Sequence, residues 1–290
     1  MPNQSPMPGA VISRLAPTPS GYLHLGNALN FLITWSFVRS HHGRLILRID
    51  DADSTRARPQ YVEDIFRTLE WLGIDWDDGP SGPDDFYARH SQCARTEMYR
   101  AAMAGLTRAY NCDCSRSLIR ATFGSTIYGG TCRDKGLPFA KGETARRILV
   151  DRPVLVDGEA FDLFRAMGDF VLWTRDDTPA YQLVSLVEDE SSGVTHIFRG
   201  EDLFTSTAAQ KYLAEELCYA SFLGAEVFHH ELLYAPDGGK LAKSQGSTPL
   251  TALRRSGVDR NAVINQLRPC LERFFKTAAL PSPESILSLD

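Results

Sequence analysis

Apolar residues recur along this chain at two different periods. Val11 to Leu15 is a short apolar segment that runs into the turn Pro17-Thr18-Pro19-Ser20-Gly21. From Leu25 to about Ser40, Leu29, Leu32, Ile33 and Phe37 fall at helical spacing, which predicts a helix. Arg44 to Asp50 (RLILRID) reads as a buried strand. Pro59 to Leu72 reads as an amphipathic helix, with Pro near its start and Gly73 at its end. Strand, glycine turn, helix, strand, helix is the opening of a doubly wound α/β domain. Right-handed crossovers then make the strands parallel.

The pattern changes from Tyr110 to about Ala160, where turn residues become dense and periodicity weakens. It resumes with Phe170 to Trp173, Tyr181 to Val187 and Thr195 to Arg199, followed by a helix over about Thr205 to Cys218 and an apolar segment at Glu231 to Tyr234. We therefore expect a Rossmann-like doubly wound parallel sheet in two halves, residues 1–109 and 161–250. An insertion covers 110–160, and two short helices and a loose tail cover 251–290.

Composition narrows the class. Hydrophobic residues make up 43% and charged residues 23% of the 290, as in folded, soluble chains. The formal charge of −5 rules out a globally basic nucleic-acid coat but leaves room for a local basic groove. Apolar runs such as Ala28 to Trp35 are too short to span a bilayer. Met1 to Ala10 lacks the features of a secretion signal, so a cytoplasmic protein without membrane partners is expected. Of six cysteines, Cys112, Cys114 and Cys132 cluster, while Cys93, Cys218 and Cys270 are scattered as ordinary packing residues are.

Two stretches carry candidate chemistry. In the first, Pro17 to Asn27, a strand passes into a helix, whose N-terminus offers unpaired N–H groups and a partial positive charge to phosphate. Gly21 permits the tight turn, Gly26 allows close approach, and His24 could donate to a phosphate oxygen. In the second, Lys240-Leu241-Ala242-Lys243-Ser244 follows the turn Pro236-Asp237-Gly238-Gly239, and an ammonium there could neutralise a departing pyrophosphate. Taken singly, the first fits a structural turn and the second a solvated loop.

Together they point further. His24-Leu25-Gly26-Asn27 resembles the HIGH signature of class I aminoacyl-tRNA synthetases, and Lys240 to Ser244 resembles their KMSKS signature. Arg14 to Gly21, Arg48-Ile49-Asp50-Asp51-Ala52-Asp53 and Phe198-Arg199-Gly200-Glu201-Asp202 are similar to the glutamate-specific branch, over roughly residues 10–250. The resemblance implies a class I synthetase-type fold, with L-glutamate held by Arg14, Leu15, Ala16, Pro17, Thr18, Asp50, Tyr181 and Arg199. It implies Mg-ATP, as substrate, on His24, Gly26, Asn27, Lys240, Lys243 and Ser244, with His24 and Lys243 catalytic. The chemistry agrees: a side-chain carboxylate suits the two parallel hydrogen bonds of arginine, and an ammonium suits an acid. Two positions depart from the family, with Asp50 where glutamate is usual and Thr18 where serine is usual.

Cys112-Asp113-Cys114 and Tyr128-Gly129-Gly130-Thr131-Cys132 supply three thiols for a zinc ion, which favours four ligands. On chemistry alone Tyr128, Asp113 or a water could complete the set. Cys-x-Cys followed by Tyr-x-x-x-Cys looks like the zinc signature of the short glutamyl-Q branch, implying one structural zinc on Cys112, Cys114, Tyr128 and Cys132. Asp134 stands where full-length zinc-containing relatives tend to have histidine.

The chain ends at Asp290, too soon after Ser244 for the large helical anticodon-binding region of full-length glutamyl-tRNA synthetases. By resemblance to the glutamyl-Q branch, the expected partner is tRNA(Asp) carrying queuosine, glutamylated on that base by a monomeric enzyme. Arg116, Arg120, Arg133, Arg146 and Arg147 are candidates to track RNA phosphate or to form a solvated face. The rival readings are a synthetase paralogue charging the 3′ end of tRNA(Glu), a small-molecule ligase on the same fold, and a catalytically dead RNA-binding module.

Overall fold

A computed structural model describes residues 10–233 and 248–281. In chain order the elements are β1 (Ile12–Leu15), α1 (Leu25–Ser40), β2 (Arg44–Leu47), α2 (Pro59–Leu72), the single turn α3 (Pro83–Asp85), α4 (Thr96–Ala104), β3 (Ala109–Cys112), α5 (Arg116–Phe123), β4 (Ala145–Ile148), β5 (Val154–Val156), β6 (Glu159–Phe161), α6 (Leu163–Met167), β7 (Val171–Trp173), α7 (Tyr181–Ser191), β8 (His196–Gly200), α8 (Phe204–Leu217), α9 (Ala220–Leu223), β9 (Glu226–His230), α10 (Leu250–Arg255) and α11 (Arg260–Thr277). They form two compact units.

The first unit comprises Met1–Ala94, Gly193–Asp202 and Ala225–Asp290. β1 pairs with β2 in parallel, Ile12 opposite Arg44, and β8 pairs with β9 in parallel, His196 opposite Glu226. The Thr195 N–H donates to the Ile12 carbonyl at 2.9 Å, which sets β8 beside β1. On the far side of β2, the Leu47 N–H donates to the Asp78 carbonyl at 2.8 Å. The spatial order is thus the 77–78 segment, β2, β1, β8, β9, a doubly wound arrangement that reverses direction between β1 and β8. In such sheets ligands bind beyond the carboxyl ends of the strands at that reversal.

The sequence expectations for α1 and α2 match the observed helices, and the reasons are local. Pro59 sits at the first position of α2, where its missing N–H costs nothing, and Gly73 ends the helix at φ 72°, in the left-handed region. α1 is buried around most of its circumference, packing against β1, β2, β8 and α11. Its Leu29, Leu32, Ile33 and Phe37 join Leu15, Leu45, Phe198, Leu267 and Phe275 in one core. The Arg44–Asp50 strand is shorter than expected, ending at Leu47. Its continuation still follows β1, with the Arg48 N–H on the Leu15 carbonyl and the Asp50 N–H on the Pro17 carbonyl, each 2.9 Å. Among the described residues the last strand is β9, just before the apolar segment Glu231 to Tyr234, whose Tyr234 lies outside the described residues. The half-polar run Glu226-Val227-Phe228-His229-His230 becomes a strand because β8 lies alongside to pair with it.

The second unit comprises Arg95–Ser192 and Leu203–Gly224. β3, β4 and β7 form an antiparallel sheet and β5 and β6 a hairpin, with α7 packed against α8 and α4. One expectation is corrected here. Phe170 to Trp173 does not resume the parallel sheet, because β7 pairs antiparallel with β4. A three-residue apolar strand fits either partner, and tertiary packing makes the choice.

Candidate functional site

The N-terminus of α1 is built by its own sequence. His24 caps it: its Nδ1 accepts the Gly26 N–H at 3.1 Å, while the His24 N–H donates to Asn27 Oδ1 at 3.0 Å. An Nδ1 that accepts leaves the ring proton on Nε2 in the neutral form, so the imidazole presents an N–H donor. A Cβ on Gly26 would lie 3.0 Å from His24 Cε1, so glycine leaves the ring its place. No acidic residue stands in the first turn of α1 to compensate its positive end.

Arg14 on β1 and Arg199 on β8 lie near the carboxyl ends of adjacent strands, with only 5% and 3% of their surfaces exposed. Leu15 and Pro17 are buried, Ala16 is partly buried and Thr18 is exposed in the turn that follows. Asp50 is buried past the end of β2. Arg48 grips it through Nε to Oδ1 at 2.7 Å and Nη2 to Oδ2 at 3.3 Å, and Gln92 Nε2 donates to Oδ1 at 2.8 Å. Sequence reasoning missed these two partners. Arg48 sits inside the quoted motif, but nothing in the sequence marks Gln92, which is far along the chain. Tyr181 opens α7 in the second unit, 43% exposed.

Lys240, Lys243 and Ser244 lie outside the described residues. On either side of residues 234–247 the chain is anchored to the α1 region. Upstream, His230 Nε2 lies 3.2 Å from Asn30 Nδ2. Downstream, the Leu250 N–H donates to the Leu23 carbonyl at 2.8 Å, next to His24.

In the second unit Cys112 ends β3, Cys114 precedes α5, and Tyr128 and Cys132 close the following turn. The three sulfur atoms lie within 4.8 Å of one another, all buried. Around a tetrahedral zinc with Zn–S bonds of about 2.3 Å, sulfurs stand about 3.8 Å apart, so small adjustments would seat the ion. The Tyr128 oxygen accepts the Cys132 N–H at 2.7 Å and lies 3.9 Å from Cys114 Sγ. Asp113 Oδ1 is equally near, 3.0 Å from Cys132 Sγ and 3.8 Å from Cys114 Sγ, but is also held by Lys135 at 3.1 Å. Burial acts to raise the Cys112 thiol pKa, yet hydrogen bonds from the Tyr128 hydroxyl and Cys114 N–H, with the Arg147 charge, outweigh it and favour the thiolate. The donor set fits zinc.

The arginines divide. Arg116 and Arg120 stand exposed on α5. Arg133 is tied to buried Asp169 by two hydrogen bonds of 2.7 Å, and Arg147 is buried over the Tyr128 ring with Nη1 on the Asp169 carbonyl. These two brace the cysteine loop.

A glutamyl-Q tRNA(Asp) synthetase of Symbiobacterium thermophilum is 39% identical, over 88% of this chain and 84% of that protein. A glutamate–tRNA ligase of Desulfosudis oleivorans is 34% identical over 89% of this chain, which spans 56% of that protein's length. The glutamate–tRNA synthetase structure from Elizabethkingia anophelis superposes with a TM-score of 0.67 at 25% identity, over 86% of this chain and 54% of that one. No helix among the described residues is long and apolar enough to cross a membrane. The model for "tRNA synthetases class I (E and Q), catalytic domain" matches residues 10–133 and 156–278, and the chain belongs to that family, as an ATP-dependent ligase of the aminoacyl-tRNA synthetase type.

Proposed function

We propose that this protein activates L-glutamate with Mg-ATP and transfers the glutamyl group to queuosine in the anticodon loop of tRNA(Asp). The observation that carries the first half is the placement of buried Arg14 and Arg199 near the carboxyl ends of β1 and β8, with Asp50 beyond the end of β2 and His24 capping α1. The arginines pair the side-chain carboxylate, and Asp50 takes the α-ammonium. The α-carboxylate then attacks the α-phosphorus of ATP. Glutamyl-adenylate forms and the bond to pyrophosphate breaks. His24 and the α1 N-terminus, with Gly26 and Asn27, stabilise the phosphate charge, while Lys240 and Ser244 help hold ATP and Lys243 neutralises the leaving group. A hydroxyl of the queuosine ring next attacks the acyl carbon and AMP leaves.

The choice of queuosine is supported by two glutamyl-Q relatives, 39% and 37% identical over most of their own lengths. It is supported also by the Cys112, Cys114, Tyr128 and Cys132 cluster, where Tyr128 is the proposed fourth zinc ligand. A zinc ion there would cross-link an irregular loop in a monomeric enzyme. The decisive experiment supplies radiolabelled glutamate and ATP with tRNA(Asp) with and without queuosine, and with tRNA(Glu). Label confined to queuosine-bearing tRNA(Asp) is expected. Label on the 3′ end of tRNA(Glu), or none on any RNA, would replace the second half of the reading.

A further inference from the structure

We infer that Gln92 is a positioning residue for the amino-group end of the glutamate site, acting through Asp50. The inference rests on the glutamate-activation reading above. Asp50 reaches about one methylene less far than a glutamate at the same place, so the direction of its carboxylate matters more. Arg48 approaches from its own segment, and Gln92 Nε2 donates to Oδ1 from outside it at 2.8 Å. The Gln92 amide has no choice of orientation. Its Oε1 accepts the Ala52 N–H at 3.2 Å, so its NH₂ must face Asp50. The Gln92 N–H donates to Asp51 Oδ1 at 2.7 Å, and the neighbouring Ser91 hydroxyl donates to Asp51 Oδ2 at 2.6 Å. One residue, only 1% exposed, thus spans Asp50, Asp51 and Ala52. Being neutral, it orients the Asp50 carboxylate without adding a second positive charge that would repel an incoming ammonium.

The test uses the full chain in ATP–pyrophosphate exchange with glutamate. In Gln92→Leu the glutamate KM should rise roughly tenfold, the loss of one hydrogen bond to a charged group, with the ATP KM unchanged. Glutarate, which lacks the α-amino group, should inhibit wild type and Gln92→Leu equally, because the defect lies at the ammonium end. In an Asp50→Asn background, Gln92→Leu should add less than twofold. Gln92→Glu keeps the shape and the Ala52 contact but sets a like charge beside Asp50, and should raise the glutamate KM as well; it serves if the leucine variant misfolds. Equal weakening of glutamate and glutarate, additive effects with Asp50→Asn, or an unchanged glutamate KM would each overturn the inference. A wild-type enzyme that shows no glutamate-dependent exchange would instead overturn the functional reading beneath it.

Discussion

A charged side chain in this site works because its neighbours have already oriented it. Arg14 and Arg199 are held inside the fold, so in the proposed reading each would meet the glutamate carboxylate with little water to screen the contact. Replacing Arg199 with alanine should raise the glutamate KM by about two orders of magnitude, the loss of a two-bond charged contact, with little change for ATP. Pyrophosphate exchange at varied glutamate measures this, and an unchanged KM would remove Arg199 from the site. Gly26 offers a complementary case. In Gly26→Ala the new methyl lies 3.0 Å from His24 Cε1, so the imidazole must give by a few tenths of an ångström from its capping position. Turnover should fall at least tenfold while stability changes by no more than about 1 kcal/mol, since alanine suits a helix as well as or better than glycine. Kinetics beside urea unfolding separates the two effects.

Elements carry properties that no single residue shows. The β8–β9 pair brings three histidines, His196, His229 and His230, into the first unit, and burial pushes the pKa of His196 and His230 down. His230 donates from Nδ1 to the Glu231 carbonyl and accepts from Asn30 at Nε2, a neutral tautomer that links β9 to α1. The unfolded chain takes up protons near pH 6.5 that these folded histidines resist. Their stabilisation is therefore present above about pH 6.5 and lost as pH falls below it. Urea midpoints between pH 8 and 5 should drop with acid, and His230→Gln should flatten the slope; parallel slopes would refute the linkage.

The two units divide structure and chemistry. The parallel sheet of the first presents Arg14, Arg199, Asp50 and the His24 cap, whereas the second secures an irregular loop between β3 and β4 around three thiols. Metal analysis should find about one zinc per chain, lost in the Cys112→Ser/Cys114→Ser variant. Hydrogen exchange in that variant should quicken in β3, β4 and β7 and little in β1, β2 and α1. Retention of the metal would remove the site as drawn. Much of this organisation was legible before any coordinates. α1 and α2 follow from periodicity, a first-turn proline and a terminal glycine, all signals within a few residues of the helices they set. The His24 to Asn27 signature was legible for the same reason, since its hydrogen bonds run within four residues; Lys240 to Ser244 lies outside the described residues. Long-range pairing was not. That β7 joins an antiparallel sheet, that Arg133 and Arg147 turn inward to Asp169 and the Tyr128 ring, and that Gln92 reaches Asp50 all depend on which surfaces meet after the chain has crossed itself. Periodicity carries no record of a partner forty or a hundred residues away, so burial and backbone pairing had to choose it.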